Sequence, residues 1–272
     1  MHAASREALE TISEYFDTTS KNKEKPVAVA AQTGAELFDV VELLDGDRAL
    51  RITIAEASLA EEQRAEVVSA VFAGKVSQYT LELLIMAARQ VWSTPKEMRT
   101  GLVTLGRRAL LRAAEHQGQL EQVEEELFRL SRLLLKQPEL TLLLDDQSAD
   151  PVAKRDLLAK VLYGKVTAVT EALALQVIGR PERNAIDDMN ALSEYAAALH
   201  GRKVAVVTSA NALTKAQHQA LATKLEGIYA YPMSLHTEVD PSLIGGAIIR
   251  VGYEVIDGST SGKIARLRAQ LV

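Results

Sequence analysis

ELFDVVELL, at residues 36–44, returns as ELFRLSRLL at residues 126–134. A second pair has the same spacing, because VFAGKV at residues 71–76 matches VLYGKV at residues 161–166. Both pairs are 90 positions apart, so the surrounding segments align over 45 positions without a gap and share twelve identities. Chance pairing of residues with average usage would give roughly three identities. The sequence therefore predicts an internal duplication.

The repeated unit has the pattern of a helix bundle. A proline can occupy the first position of a helix at residues 26–44, with Gly46 just past its end. Ser58 and Glu61 have capping-box spacing and predict the start of another helix, which Gly74 would end. Apolar side chains on one face of this helix indicate that the face packs into a core.

The next helix, at residues 77–92, is apolar on most of its sides, as is its counterpart at residues 169–178. A helix without a polar face belongs at the centre of a bundle. Ser-Thr-Pro at residues 93–95 predicts the start of a further helix, which breaks near Gly118, resumes, and ends at Pro138. The first 200 residues therefore favour two helical bundles in tandem.

After about Gly201 the pattern changes from that of helices to that of strands. KVAVVTSA, residues 203–210, is continuously apolar and β-branched, which is typical of a strand buried on both faces. Thr214 predicts the cap of a helix. YPMSLHTEV, residues 231–239, alternates between apolar and polar side chains. This alternation predicts a half-buried strand, with His236 on the polar face.

The remaining segment completes a small sheet. GAIIRVGYEVID, residues 246–257, predicts a hairpin with Gly252 first in a two-residue turn. Ser259 predicts the cap of a final helix. The side chains expected in the core of this sheet, before any interface, are Leu243, Ile244, Ala247 and Ile249.

These elements define the predicted fold class. It is mostly α with a small C-terminal α/β unit: tandem helix bundles followed by a short sheet backed by two helices, in the order β-α-β-β-β-α. The expected domains are a first bundle at residues 1–95, a second bundle at residues 96–201 and a small α/β domain at residues 202–272.

Composition narrows the class of protein. Of the 272 residues 47% are hydrophobic and only 4% aromatic, which is typical of a helix-rich protein with an aliphatic core. The formal net charge of -5 argues against nucleic acid as a partner, because phosphate binding needs a concentrated basic surface. The amino terminus lacks the pattern of a secretory signal, and the most apolar run, from Leu81, is too short to span a bilayer. We therefore expect a cytosolic or peripheral protein, without direct membrane insertion.

IDGSTSGKIARLR, residues 256–268, is similar to a phosphate-binding loop but fails in spacing. That motif needs four residues between its glycines and a hydroxyl after its lysine. Here Gly258 and Gly262 have three residues between them, and Ile264 follows Lys263. The stretch is better interpreted as a turn and a helix cap formed by Ser259.

No other pattern predicts chemistry. The five histidines lack ligand spacing, cysteine is absent, and no Gly-x-Ser-x-Gly elbow occurs. We therefore predict no catalytic residue, no cofactor and no metal. The basic cluster of Arg107, Arg108 and Arg112 is interpreted as a solvated helix face, with docking of an acidic segment as the alternative.

The C-terminal residues resemble a known family. VTSANALTKAQHQAL at residues 207–221, followed by the segment 239–271, is similar to the delta subunit of bacterial F-type ATP synthases, the counterpart of the mitochondrial oligomycin-sensitivity-conferring protein. Weaker resemblance extends back to about residue 105. The residues that are most specific to the family pattern are Pro241, Ser242, Leu243, Ile244, Gly245, Gly246, Arg250, Gly252, Asp257, Gly258 and Ser259.

The resemblance implies a function without catalysis. In that family a helical domain grips the amino-terminal segments of the alpha subunits, and the C-terminal domain meets the membrane-rooted b stalk. It implies a peripheral protein at the cytoplasmic face of the bacterial plasma membrane. On the last helix, Lys263, Arg266 and Arg268 are candidate partner contacts. The chain is longer than the usual subunit, and the duplication accounts for the excess, which leaves open which copy holds the alpha subunits.

Two other classes of protein stay open at this point. A tandem helical adaptor of another complex would explain the duplication but not the C-terminal family residues. A nucleotide-binding enzyme would require the loop at residues 256–268 to work despite its spacing.

Overall fold

The structure is a computed structural model that describes residues 1–146 and 148–270, without the side chains of Ala265 and residues 268–270. It confirms a mostly helical chain with a small C-terminal sheet. The helices before the sheet are α1 (Ala3–Ser20), α2 (Pro26–Gly46), α3 (Arg48–Ala55), α4 (Glu61–Phe72), α5 (Gln78–Arg89), α6 (Pro95–His116), α7 (Leu120–Lys136), α8 (Pro138–Asp145), α9 (Pro151–Leu162), α10 (Ala168–Gly179) and α11 (Ala185–Leu199).

Packing divides the chain into two compact units. The first contains residues 1–120 and 155–179, and the second contains residues 121–154 and 180–272. In the first unit, α2 crosses α6 closely because glycines lie at the crossing. A Cβ on Gly34 would lie 2.8 Å from the Leu110 side chain. The domain limits expected from the duplication stay a prediction.

The core of the first unit is aliphatic, with few aromatic rings. Helix α5 lies within this core, and its residues Leu83, Leu84, Ala87 and Ala88 are buried, as the apolar pattern predicts. Trp92 follows α5 and donates from its indole nitrogen to the Ala87 carbonyl at 2.8 Å. The break near Gly118 is confirmed, since α6 ends at His116 and α7 begins two residues after the glycine.

Helix starts show where capping was predicted well and where it was not. Thr94 caps α6 by accepting from the Glu97 amide at 3.1 Å, as expected. The capping box at Ser58 is wrong, because the Ser58 hydroxyl donates to Glu56 and α4 begins only at Glu61. The amide of Ala60 donates instead to Gln63 Oε1 at 3.2 Å, so a side chain of the helix itself accepts the hydrogen bond at the helix start. Helices α3 and α8 are absent from the sequence prediction.

Helix positions recur along the chain at a constant interval. Corresponding helices start 90 residues apart at Arg48 and Pro138, Glu61 and Pro151, Gln78 and Ala168, and Pro95 and Ala185. The glycines that end α4 and α9 both have left-handed backbones, with φ of 75° at Gly74 and 68° at Gly164. This regularity supports the duplication inferred from the sequence. Helix α6 would then close the first copy and open the second.

A buried cation also recurs at this interval. Arg64 donates to the carbonyl oxygens of Glu56 at 3.1 Å and of Ala88 at 2.7 Å. Ninety residues later, Lys154 donates to the carbonyl of Asp146 at 2.9 Å. Both cations are buried, and both donate to carbonyl groups at helix ends or turns.

The C-terminal sheet has four strands in the order β2-β1-β3-β4. Strand β1 pairs in parallel with β2 and antiparallel with β3, and β3 pairs antiparallel with β4. The predicted order of strands and helices is confirmed. The elements are β1 (Lys203–Ser209), α12 (Lys215–Tyr229), β2 (Met233–Val239), a 3-10 turn (Pro241–Leu243), β3 (Ala247–Val251), β4 (Glu254–Asp257) and α13 (Thr260–Gln270).

One prediction about the sheet is wrong. On β2, Met233 packs in a small core with Leu225 and Ala205, as expected for the apolar face. The opposite face was expected to be polar and open, yet His236 is only 2% exposed. Helix α7, more than 100 residues earlier in the chain, covers that face, as described next.

Candidate docking surfaces and a buried joint

The stretch that is similar to a phosphate loop is a turn and a helix cap. Asp257 Oδ1 accepts from the Ser259 amide at 2.9 Å and from its hydroxyl at 2.6 Å. Ser259 Oγ in turn accepts from the Gly262 amide at 3.0 Å, which caps α13. These hydrogen bonds from Ser259 hold the pKa of Asp257 below its ordinary range. The amides of Ser259 and Gly262 are therefore already bonded to side chains of the protein.

Backbone hydrogen bonds between residues of the family pattern hold two loops together. Thr260 donates its amide to the Gly245 carbonyl at 2.8 Å, and Gly258 donates to the Ala247 carbonyl at 3.0 Å. Gly246 has a φ of 74°, and a Cβ there would lie 2.4 Å from the Gly258 oxygen. The glycines in this pattern therefore allow close backbone approach.

The position of Ile244 differs from the one predicted from the sequence. It was expected in the core with Leu243, which is indeed buried. Ile244 instead has a φ of 65° immediately after the 3-10 turn, and its side chain is 69% exposed. The left-handed backbone at this position turns the side chain away from the sheet.

The last helix and its neighbour form the first candidate docking surface. Helix α13 contacts the 3-10 turn. Ile264 and Leu267 on the helix are exposed, as is Ile244 beside the turn, and Lys263 and Arg266 add positive charge. We call these five residues the C-terminal surface. Arg266 also lies 3.6 Å from Asp257, while the side chain of Arg268 lies outside the described residues.

Four exposed leucines lie on two consecutive helices, and we call them the leucine patch. Leu133 and Leu135 lie in the last turn of α7, and Leu142 and Leu143 lie on α8. Leu142 is 73% exposed. Apolar side chains that remain uncovered in a group commonly mark a site of protein contact.

A groove extends from the leucine patch between α7 and the end of β2. This groove has a volume of about 770 Å³, and Leu133, Leu135 and Val239 line it together with Arg132. A separate pocket of about 390 Å³ lies near Met233 and His236. The sequence pattern did not indicate this groove, because the helix and the strand are separated by about 100 residues.

Beside the smaller pocket, a buried joint holds α7 to β2. His236 Nδ1 lies 2.8 Å from Glu125 Oε2, and Nε2 lies 3.1 Å from Glu124 Oε1. The imidazole stacks on the Phe128 ring with centroids 4.2 Å apart. Ser234, also on β2, donates its hydroxyl to Glu124. The joint therefore combines an ion pair, a ring stack and a hydroxyl contact, with His236 and Glu124 buried and Glu125 partly exposed.

The electrostatics of the joint follow from this arrangement. Burial by itself lowers the pKa of His236, but hydrogen bonds and charge from Glu124 and Glu125 outweigh it and raise that pKa above 6.5. Burial likewise raises the pKa of Glu125, while His236 and then Arg129 lower it further than burial raises it. The imidazole and the carboxylate of Glu125 thus stabilise each other's charged forms.

The basic cluster on α6 has a different role from the one expected. Arg108 and Arg112 donate to Asp17 Oδ1 on α1 at 2.9 Å and 3.1 Å. Neither arginine is fully exposed, so the interpretation as a solvated face is wrong for both. The pair clamps α1 onto α6 within the first unit.

Among the residues that the structure describes, no group of histidine, aspartate and glutamate side chains could hold a metal ion. Within the same residues, no helix has the length and apolar character needed to cross a membrane.

Comparisons with known proteins agree with the resemblance in the C-terminal region. The family model described as "ATP synthase delta (OSCP) subunit" matches residues 108–271. The chain is 68% identical over 272 residues to "ATP synthase subunit delta" of Corynebacterium diphtheriae, covering 100% of both chains. It is 65% identical over 269 residues to the protein of the same name in Corynebacterium efficiens, covering 99% of this chain and 98% of that protein.

The residues before 108 lie outside the family model but within the match to these relatives. A chain in the cryo-EM structure of the Toxoplasma gondii mitochondrial ATP synthase hexamer is also similar. It has a TM-score of 0.34 and 22% identity, covering 61% of this chain and 94% of that one. On the family model and the full-length relatives, this chain belongs to the ATP synthase delta (OSCP) subunit family, whose members are structural and not catalytic subunits of that complex.

Proposed function

We propose that this chain is a peripheral-stalk subunit that links the alpha subunits of the ATP synthase head to the membrane-anchored b stalk. It lies at the cytoplasmic face of the bacterial plasma membrane and resists the torque of the rotor. The observation that supports this proposal is the presence of two exposed apolar surfaces on a chain of this family. A linker between two bodies needs one docking surface for each.

The leucine patch fits the alpha subunits. An amphipathic helix docks by laying its apolar face into a groove, and the patch continues into the groove between α7 and β2. Burying one leucine side chain contributes about 1.5–3 kcal/mol before the cost of association. Four leucines can therefore anchor a short amino-terminal segment of an alpha subunit.

The C-terminal surface fits the b stalk. Lys263 and Arg266 stand beside exposed Ile264 and Leu267, which suits a helix with an apolar face and an acidic flank. Binding at both surfaces raises the effective concentration of each partner for the other. Continuous attachment under torque follows from this double contact.

The first copy supplies a matched control for the leucine patch. Positions 135 and 142 correspond at the 90-residue interval to Asp45 and Ile52. We expect the double change Leu135→Ser and Leu142→Ser to weaken retention of the catalytic head by tenfold or more, as about 1.4 kcal/mol would. The matched change Ile52→Ser should leave retention unaltered.

The test uses affinity purification of the full-length tagged chain from its native host, with quantification of the alpha subunits. Equal loss in both variants would refute the assignment of the patch to the second copy. Full retention in both would refute the docking role of the leucines. Absence of every ATP synthase subunit from the wild-type preparation would favour an adaptor of another complex.

The b contact is tested by charge reversal on α13. We expect Lys263→Glu with Arg266→Glu to reduce binding of the soluble part of b, measured by titration calorimetry at low and physiological salt. Lys215→Glu on α12, also exposed, is the control and should bind normally. Unchanged binding by the α13 variant would show that these cations do not contribute.

A further inference from the structure

The ring of His236 faces a carboxylate at each nitrogen. Its Nδ1 and Nε2 lie 2.8 Å from Glu125 and 3.1 Å from Glu124. A neutral imidazole has one N–H and would direct a lone pair at the second carboxylate, whereas an imidazolium donates from both nitrogens. The geometry is therefore complementary to the charged ring.

The joint connects more than two elements. Ser193 on α11 donates its hydroxyl to the Glu124 carbonyl at 3.0 Å and lies 3.4 Å from His236 Nε2. Ser234 on β2 donates to the Glu124 carboxylate. Glu124 is only 2% exposed, so its charge has little access to water. Loss of the proton from His236 would leave this carboxylate buried without its cation, which is strongly unfavourable.

The remaining charges around the joint do not replace that cation. Arg129 pairs with the outer carboxylate Glu125 at 2.7 Å. Arg132 lies over Phe128 and pairs with Glu238 on β2. The other titratable or charged side chains that line the pocket beside His236 are Glu121, Arg202, His218 and Glu226.

Two of those pocket residues have partners away from the ring. Arg202 pairs with Glu121 at 2.7 Å, and His218 Nε2 lies 3.4 Å from the Leu235 carbonyl. Neither interaction offers a positive charge to Glu124. Within the described part of the chain, His236 is thus the cation that contacts Glu124.

We propose that His236 is a pH-dependent latch that fastens helix α7 to strand β2 when protonated and loosens it when the proton is lost. The latch concerns the fold of the chain alone and holds whichever partners bind its two surfaces. Its partner Glu125 lines both the pocket beside His236 and the groove that extends from the leucine patch. Its state therefore sets how firmly the sheet is attached to the helix at that groove.

The direction of the pKa shift of His236 determines how the stability of the joint changes with pH. Because Glu124 and Glu125 raise the pKa of His236 above 6.5 against the opposing effect of burial, protonation stabilises the folded state. This stabilisation is complete below the unfolded pKa and is lost as pH rises through the folded pKa. The joint therefore weakens on the alkaline side.

Nuclear magnetic resonance on the full chain tests the latch directly. We expect the His236 ring to titrate above 6.5, with both ring N–H protons visible below that pH. Protection of the β2 amides from exchange, corrected for intrinsic rates, should fall as pH rises through the same range. The loss should be about tenfold for each unit by which the pKa is raised.

The matched variants are His236→Gln and His218→Gln. The first should abolish the pH step in β2 protection, and the second should keep it. If His236→Gln does not fold, Glu125→Gln provides the readout, since it should lower the His236 pKa. Titration of His236 at or below 6.5, a step retained in His236→Gln, or an unmoved His236 pKa in Glu125→Gln would each overturn the latch.

Discussion

Helices α2 and α7 are related by the 90-residue interval, in what we infer to be two copies of one unit, but hold different neighbours. Phe38 and Phe128 are 90 residues apart. In the first copy, Phe38 packs against Gly106, where an added Cβ would lie 2.7 Å from its ring. In the second copy, Phe128 stacks on His236. The position of Gly34 is taken by Glu124, so a close helix crossing in one copy corresponds to an ionic joint in the other.

Exposed residues that are 90 positions apart also differ in polarity. Leu135 and Leu143 in the second copy correspond to Asp45 and Thr53 in the first. Asp45 accepts from Arg99 at 2.8 Å on both oxygens, so this position contributes to a surface ion pair. Helix spacing is thus retained at the 90-residue interval, whereas the exposed positions diverge only in part. Leu133 and Leu142 correspond to Leu43 and Ile52, which are also exposed, so the extra apolar side chains of the leucine patch are Leu135 and Leu143.

The largest expected effect comes from the close crossing in the first copy. Gly34→Leu would force a side chain against Leu110 and the Gly106 carbonyl, which lie 2.8 Å and 3.1 Å from a Cβ. We expect a loss of about 3 kcal/mol in the free energy of unfolding, at the upper end for overpacking. Chemical denaturation measures it, with exposed Ala35→Leu as the control. A neutral result would break the contrast between the two helices.

The two buried cations, Arg64 and Lys154, should contribute similarly to stability, in contrast to the two helices compared above. We expect Arg64→Ala and Lys154→Ala each to cost about 2 kcal/mol, since the Ala88 and Asp146 carbonyl groups lose a buried donor. Thermal unfolding of both variants is compared with exposed Arg48→Ala, which should be nearly neutral. If only one cation matters, the structural equivalence of the copies fails at this position.

The smallest expected effect concerns the ion pairs of Asp17 with Arg108 and Arg112, which clamp α1 onto α6. We expect Asp17→Asn to cost about 1 kcal/mol, discounted because solvent screens this half-buried site. Burial raises the pKa of Asp17, but Arg108 and Arg112 together lower it further, so its folded pKa lies below the ordinary range. The stabilisation is present above the unfolded pKa and is lost as pH falls through the folded pKa.

Asp17 and His236 therefore respond to pH in opposite directions. Unfolding midpoints of wild type and Asp17→Asn should converge in acid and separate near neutral pH. The His236 joint should instead weaken in alkali. A constant difference between wild type and Asp17→Asn from acid to neutral pH would contradict the ionic character of the clamp.

Much of this arrangement could be predicted from local sequence. The caps at Thr94 and Ser259 and the hairpin at Gly252 depend on neighbouring residues, and the structure confirms them. The 90-residue matches also anticipate the recurring helix starts. Ser58 failed as a cap because its hydroxyl bonds to Glu56, a competition that spacing does not reveal.

The buried joint could not be predicted, because it depends on contacts distant in sequence. Alternation along β2 indicates which residues share a face with His236, but not that α7 covers this face. The run Glu124-Glu125-Glu126 likewise has the pattern of a solvated helix start. Only the fold brings Glu124 to His236, where both are 2% exposed.

The most direct test of the proposed function is affinity purification of the intact chain with its alpha and b partners. We predict that wild type retains both and that the variant Leu135→Ser with Leu142→Ser loses alpha while it keeps b. The variant Lys263→Glu with Arg266→Glu should lose b while it keeps alpha. Simultaneous loss of both partners from folded variants, or loss of neither, would contradict a linker with two separate docking surfaces.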